Sequence, residues 1–232
     1  DSPFNSDLPY DIEQTAVFGE VTYDVNDKLQ MTFGGRYYNT DEVRVITTGG
    51  LFANGDAGLV DQTSSSGFTP RVLAKYNLNE NTTLNAQISQ GFRLGGVNDP
   101  LNTPVCSAQD LAIFGGYQDY GDETLWNYEV GMKSTLGNGA TLNAAAFYAD
   151  MEDLQVTLDA GSCSSRITFN VPEAKSSGVE IEYRSQPTDN LELSIAASVI
   201  NAKFKSTVMD ATGSVLGGLE NGNRLASVPK VQ

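Results

Sequence analysis

Two cysteines, Cys106 and Cys163, carry the most readily named chemistry in this chain. They lie too far apart for a Cys-x-x-Cys redox or zinc site. In a polar, loop-like setting, a cysteine pair suits an oxidising compartment and a disulfide, with two free thiols as the alternative. Histidine is absent. That removes Ser-His and Cys-His catalysis and most zinc centres together, so no familiar hydrolytic triad can be built. The chain reads as a non-enzyme with no cofactor and no resident metal. Asp150, Glu152 and Asp153 match no calcium loop and read as a solvated acidic stem. Gly91-Phe92-Arg93-Leu94-Gly95-Gly96 lacks the Lys-Ser/Thr ending and the following helix of a phosphate loop. Its glycines suit a strand end or a close backbone approach. Asn81-Thr82-Thr83 spells a glycosylation sequon but falls in a tight turn, which explains its asparagine. Arg93, Tyr117 and Tyr120 remain as candidate contacts for a small-molecule substrate. The net charge of −15 excludes nucleic acid as a partner, since that would require a basic face.

The elements that would position these residues alternate with period two. In the segment Leu125–Tyr148, Trp126, Tyr128, Val130 and Met132 are apolar, with Asn127, Glu129 and Lys133 among them. The turn Gly137-Asn138-Gly139 follows, and alternation resumes at Leu142, Ala144, Ala146 and Tyr148. Successive side chains of a strand point to opposite faces, and such a turn supplies positive-φ residues, so this is a β-hairpin. Its arms approach the nine to eleven residues, roughly, of a tilted strand crossing a bilayer. Similar hairpins read at about 15–40, 68–96, 122–157 and 168–204. Between them lie Gly-, Ser-, Asn- and Asp-rich stretches at about 41–66, 97–121, 158–166 and 206–228, read as long outer loops. No run approaches the roughly eighteen apolar residues of a membrane helix, which does not count against a barrel.

Short turns at one end and long loops at the other mark an outer-membrane barrel. Aromatics stand at two heights: Tyr23, Tyr76 and Tyr183 near the short turns, and Tyr37, Phe92, Trp126 and Tyr148 about ten residues away. These suit two interfacial girdles. Val130, Met132, Leu142, Ala144, Leu193 and Ile195 are expected to face lipid. Glu20, Arg36, Arg71, Lys75, Glu129, Lys133, Glu180, Glu182 and Arg184 are expected to face the lumen, because basic groups in hydrocarbon cost about 2–4 kcal/mol each near the midplane. Gln90 falls on the dry face, which suggests a bulge or a strand that has left the bilayer. Cys106 and Cys163 would lie in neighbouring outer loops. The fold class is therefore all-β: an antiparallel transmembrane β-barrel segment of about eight strands in four up-and-down hairpins. An open sheet is expected, with 1–14 entering as outer loop and 228–232 opening a further strand.

Four stretches carry a family resemblance. "AVFGEVTYDVNDKLQMTFGGRYYNTD" and "FTPRVLAKYNLNENTTLNAQISQGFRLGGVND" are the first two. "ETLWNYEVGMKSTLGNGATLNAAAFYADMEDLQV" and "NVPEAKSSGVEIEYRSQPTDNLELSIAAS" follow. In this order and spacing the chain resembles the barrel of TonB-dependent receptors from about residue 15 onward. The resemblance implies a twenty-two-stranded barrel with a plugged lumen in the outer membrane of a Gram-negative bacterium. It implies TonB-energised uptake of a scarce, bulky nutrient such as an iron–siderophore complex. The implied partners are the TonB complex through a plug absent here, outer-membrane lipid and lipopolysaccharide, and a small-molecule substrate such as a metal chelate. A passive or structural small outer-membrane barrel and a soluble secreted β-sandwich binding module remain as alternatives.

Overall fold

The structure is a computed structural model that describes residues 2–137 and 139–232; Asn138, in the expected Gly137–Gly139 turn, lies outside them. In chain order the elements are β1 (Asn5–Asp7), β2 (Tyr10–Asp24), β3 (Leu29–Gly49), β4 (Leu59–Asn79), β5 (Thr82–Arg93) and β6 (Gly96–Val97). Then come α1 (Ala108–Phe114), β7 (Asp119–Tyr120), β8 (Glu123–Thr135), β9 (Thr141–Asp159), β10 (Arg166–Thr188) and β11 (Leu191–Phe204). The eight long strands run β2-β3-β4-β5-β8-β9-β10-β11, each antiparallel to its sequence neighbour, and β1 pairs with the far end of β3. Among the described residues the sheet is open: β2 pairs only with β3, while the outer edge of β11 takes Val231 opposite Val199.

Tight turns at one end fix the register. Asn26 Oδ1 accepts from the N–H groups of Lys28 and Leu29, both at 2.9 Å, and so closes the β2–β3 turn with its side chain. Asn79 Oδ1 does the same for the Asn81 N–H at 2.9 Å. The register then sorts side chains into continuous rows. Tyr23, Met31, Ala74, Ala86, Val130, Ala146, Val179 and Val199 stand opposite one another across all eight long strands. A parallel row holds Tyr76, Leu84, Met132, Ala144 and Ile181. This face is uncovered: Val130 is 58% exposed and Ile181 is 47% exposed. An apolar face this broad, left bare of protein, is what hydrocarbon covers.

The opposite face carries the charges. Glu20, Gly34 and Arg71 form one row, and Arg71 Nη1 meets Glu20 Oε2 at 3.1 Å across the glycine. A Cβ on Gly34 would stand 3.3 Å from that carboxylate oxygen, so the missing side chain leaves room for the pair. Arg71 Nε also donates to Gln87 at 3.0 Å. Lys133, Asn143 and Glu182 share a row, and Arg184 pairs with Glu192.

Two expectations need correction. Most of the stretch 41–66, read as an outer loop, is strand: β3 continues to Gly49 and β4 begins at Leu59, leaving only residues 50–58 between them. Residues 1–14 are likewise not simply loop, since β2 begins at Tyr10 and β1 lies upstream. The strands therefore outrun the bilayer-sized segment. Their extensions are rich in Thr, Ser and Asp, residues whose polarity resembles a loop while the backbone ladder continues.

Candidate functional site

At the end away from the tight turns, three connections meet: 94–122, 160–165 and 205–228. They share an apolar cluster that includes Leu101, Phe114, Cys163, Ile167, Phe169 and Leu216, with Tyr117 packed against it. The Tyr117 and Phe169 rings stand 5.1 Å apart between centroids. Cys106 and Cys163 form a disulfide that joins the first two connections. Beside it, Ser107 caps α1 through the Asp110 N–H at 3.1 Å. The Asp110 carboxylate accepts from the Ser162 hydroxyl, the Ser162 N–H and the Ser107 hydroxyl, and these bonds hold its carboxyl below the usual value.

The base of connection 94–122 is fastened to the wall by amide side chains. Asn98 donates to the Thr168 carbonyl at 2.6 Å and accepts from the Thr168 N–H at 2.8 Å. Thr168 lies on the stretch of β10 beyond the last β11 pair, Ala174 with Phe204, so its outer edge has no strand neighbour. Asn170 grips Gly121 in the same two-sided manner, at 2.7 and 2.9 Å. Gln155 Nε2 donates to the carbonyls of Leu94 at 2.8 Å and Gly121 at 3.0 Å. None of these three amides stood out in the sequence, because isolated Asn and Gln residues in a polar chain give no periodic signal.

The candidate residues occupy this region in different ways. Arg93 is ion-paired with Glu123 and donates to the Gln155 carbonyl at 2.8 Å, so its charge is already engaged. Tyr120 pairs with Gly96 in the β6–β7 ladder and borders a polar cleft of about 440 Å³ with Glu42, Gln62 and Asp122. Tyr117 lies on a smaller pocket of about 190 Å³. A larger cleft of about 900 Å³ opens between the N-terminal segment, the β3–β4 end and the disulfide-joined loops. Phe4, Phe52, Asp99, Asn102, Asp159 and Arg166 are among its walls. Asp99 is paired with Arg44, and Asp159 with Arg166 at 3.2 Å. The walls offer hydroxyls, amides and compensated charges rather than one dominant sign. Among the described residues, no three acids or cysteines stand close enough to hold a metal ion.

Trp126 lies one row beyond the Tyr128–Tyr148 pair, opposite Gln90 and Asp150. The dry face has ended there, which accounts for Gln90 without any bulge in the β5–β8 register.

A family model described as TonB dependent receptor-like, beta-barrel, matches residues 1–232. The chain belongs to the TonB-dependent receptors. It is 25% identical over 209 residues to the iron-regulated outer membrane virulence protein of Vibrio cholerae serotype O1, covering 83% of this chain and 28% of that protein. The ferric yersiniabactin uptake receptor FyuA of Yersinia pestis superposes with a TM-score of 0.69 at 22% identity, over 98% of this chain and 31% of FyuA. The siderophore receptor PiuA of Acinetobacter baumannii gives 0.69 at 18% identity, over 97% and 30%. These two structures share the fold. This TonB-dependent receptor chain thus spans less than a third of the relatives it matches. As a barrel segment of that family it belongs to the Gram-negative outer membrane, which gives its bare apolar face a solvent. The family and these neighbours are receptors, not enzymes.

Proposed function

We propose that this chain supplies wall and outer loops to a receptor that takes up a scarce, bulky nutrient, such as an iron–siderophore chelate, with energy from TonB. The observation that carries this reading is the 900 Å³ cleft at the loop end, set on a wall of this family. Its volume falls within the roughly 300–1,000 Å³ range of small-molecule sites. The iron-regulated relative and the siderophore receptors support the substrate class.

In this reading the apolar face that holds Val130, Met132, Leu142, Ala144, Ile181, Leu193 and Ile195 faces lipid. The opposite face, with Glu20, Arg36, Arg71, Lys75, Glu129, Lys133, Glu180, Glu182 and Arg184, faces the lumen. The long connections lie outside the cell, in contact with outer-leaflet lipid and lipopolysaccharide. Tyr117, Tyr120 and Arg93 contribute to the substrate path from the clefts they border or brace. TonB contact belongs to the plug of the whole receptor. The protein performs no catalysis on its cargo.

Uptake of isotopically labelled ferric siderophores by cells with and without the intact receptor tests this. Uptake should need both the receptor and the proton-motive force. Receptor-dependent uptake that persists after the proton-motive force is collapsed would point instead to a passive barrel. No receptor-dependent uptake of any chelate would reject the substrate class.

A further inference from the structure

A cleft at the mouth of a receptor selects by charge as well as by shape. Among the described residues that line the cleft of about 900 Å³, the ionisable ones are Asp99, Asp159 and Arg166. Arg44 stands behind Asp99: it pairs with that carboxylate, donates to the Val97 carbonyl at 2.6 Å and keeps little of its side chain exposed. Its charge is met inside the wall. Arg166 lies 3.2 Å from the Asp159 carboxylate, so the one cation lining the cleft stands beside an anion. The two pairs sum to no net charge. The chain around them carries −15, which tilts the surrounding field against anions.

The rest of the lining is uncharged. Phe4 and Phe52 are half-exposed and offer ring faces to an apolar frame. The hydroxyls of Ser6, Ser164 and Ser165 have no partner among the described residues, so they remain as donors for oxygen atoms of a ligand. Rings and hydroxyls together suit a cargo that carries oxygen atoms but no charge to neutralise. A polyanion would leave water here without meeting a counter-charge, and that desolvation has no return.

Ferric chelates divide by charge. Three hydroxamates lose one proton each, which balances the iron and leaves a neutral complex. Three catecholates lose two protons each and leave a trianion. We propose that this cleft admits neutral ferric chelates of the tris-hydroxamate type and rejects trianionic chelates of the tris-catecholate type. The inference rests on the uptake reading above and narrows its cargo. Asp159 is the specificity-determining residue: it occupies Arg166, the cation that a trianion would need, and it repels the trianion directly.

The test titrates the intact receptor in detergent with two ferric chelates of matched size, a synthetic tripodal tris-hydroxamate and a synthetic tripodal tris-catecholate, each carrying radioactive iron. The neutral chelate should bind about a hundredfold more tightly. Asp159→Asn should narrow that gap about tenfold, by strengthening binding of the trianion while leaving the neutral chelate unchanged. Ser165→Lys adds a cation to the lining and should act in the same direction. Asp189→Asn, in the β10–β11 turn at the opposite end, removes the same charge and should leave the gap as it was. Equal or tighter binding of the trianion overturns the inference while the uptake reading stands. A gap that neither Asp159→Asn nor Ser165→Lys moves, or that Asp189→Asn moves as much, overturns the cleft as its source. Binding of neither chelate, together with no receptor-dependent uptake of any chelate, rejects the uptake reading itself.

Discussion

Asp110 and Ser162 stand in different loops and are joined twice: the Asp110 carboxylate accepts from the Ser162 N–H at 2.9 Å and from its hydroxyl at 2.5 Å. These bonds favour the charged carboxylate and lower its pKa from the ordinary 3.8. A group whose folded pKa is depressed stabilises above its unfolded pKa, and that contribution is lost as pH falls through the folded value. Amide protection factors in residues 103–114 and 160–165 should therefore be high at neutral pH and fall below about pH 4. Asp110→Asn should exchange faster throughout, without that acid step. An unchanged acid step in the Asn variant would assign it to another group.

The disulfide acts on the same two loops. Replacing Cys106 and Cys163 together with serine should remove about 4 kcal/mol from the loop assembly in chain-entropy terms. The strand ladders do not depend on it. Exchange should rise in the connections around residues 97–118 and 160–165 while β8 to β10 stay protected. Loss of protection throughout the wall would contradict this division.

The two faces of β10 can be told apart by charge. Ile181→Lys places an ammonium among the apolar rows and should cost about 2–4 kcal/mol if that face meets hydrocarbon. Glu182→Lys, one residue along, should cost little. The readout is the temperature at which the intact barrel loses its folded electrophoretic mobility. Similar losses in both variants would mean that the faces are wrongly assigned.

Gly178 is a packing glycine within β10. A Cβ there would stand 2.7 Å from the Val199 carbonyl oxygen and 2.9 Å from the Phe147 ring. Gly178→Ala should lower barrel stability by about 1–3 kcal/mol, as overpacking does. The companion substitution Phe147→Leu should recover part of the loss. If Gly178→Ala is neutral in the same electrophoretic assay, β10 and β11 can separate more freely there than their register implies.

The wall was largely legible because a bilayer imposes a period-two pattern. Val130, Met132, Ala144 and Ile181 reveal their shared face from spacing alone, and the short turns follow from local Asn chemistry. The rim was less legible. Residues 41–49 and 59–66 look like loop because strands leaving the bilayer no longer need one dry face. The fastenings at Asn98, Gln155 and Asn170 depend on contacts between residues far apart in sequence, which no local pattern records.

The Asn98 grip on Thr168 involves only main-chain atoms of the wall. The threonine side chain plays no part in it and is bonded instead to Thr157. In effect, one amide impersonates a residue of a missing neighbour strand, and it reads no letter of the sequence it holds. Position 168 can thus vary in any way that keeps its N–H, proline alone being shut out. The connection that carries Asn98 can lengthen or change its tip beyond the anchor without loosening its footing. A rim built this way can diversify its outward surface while its attachment to the barrel stays fixed.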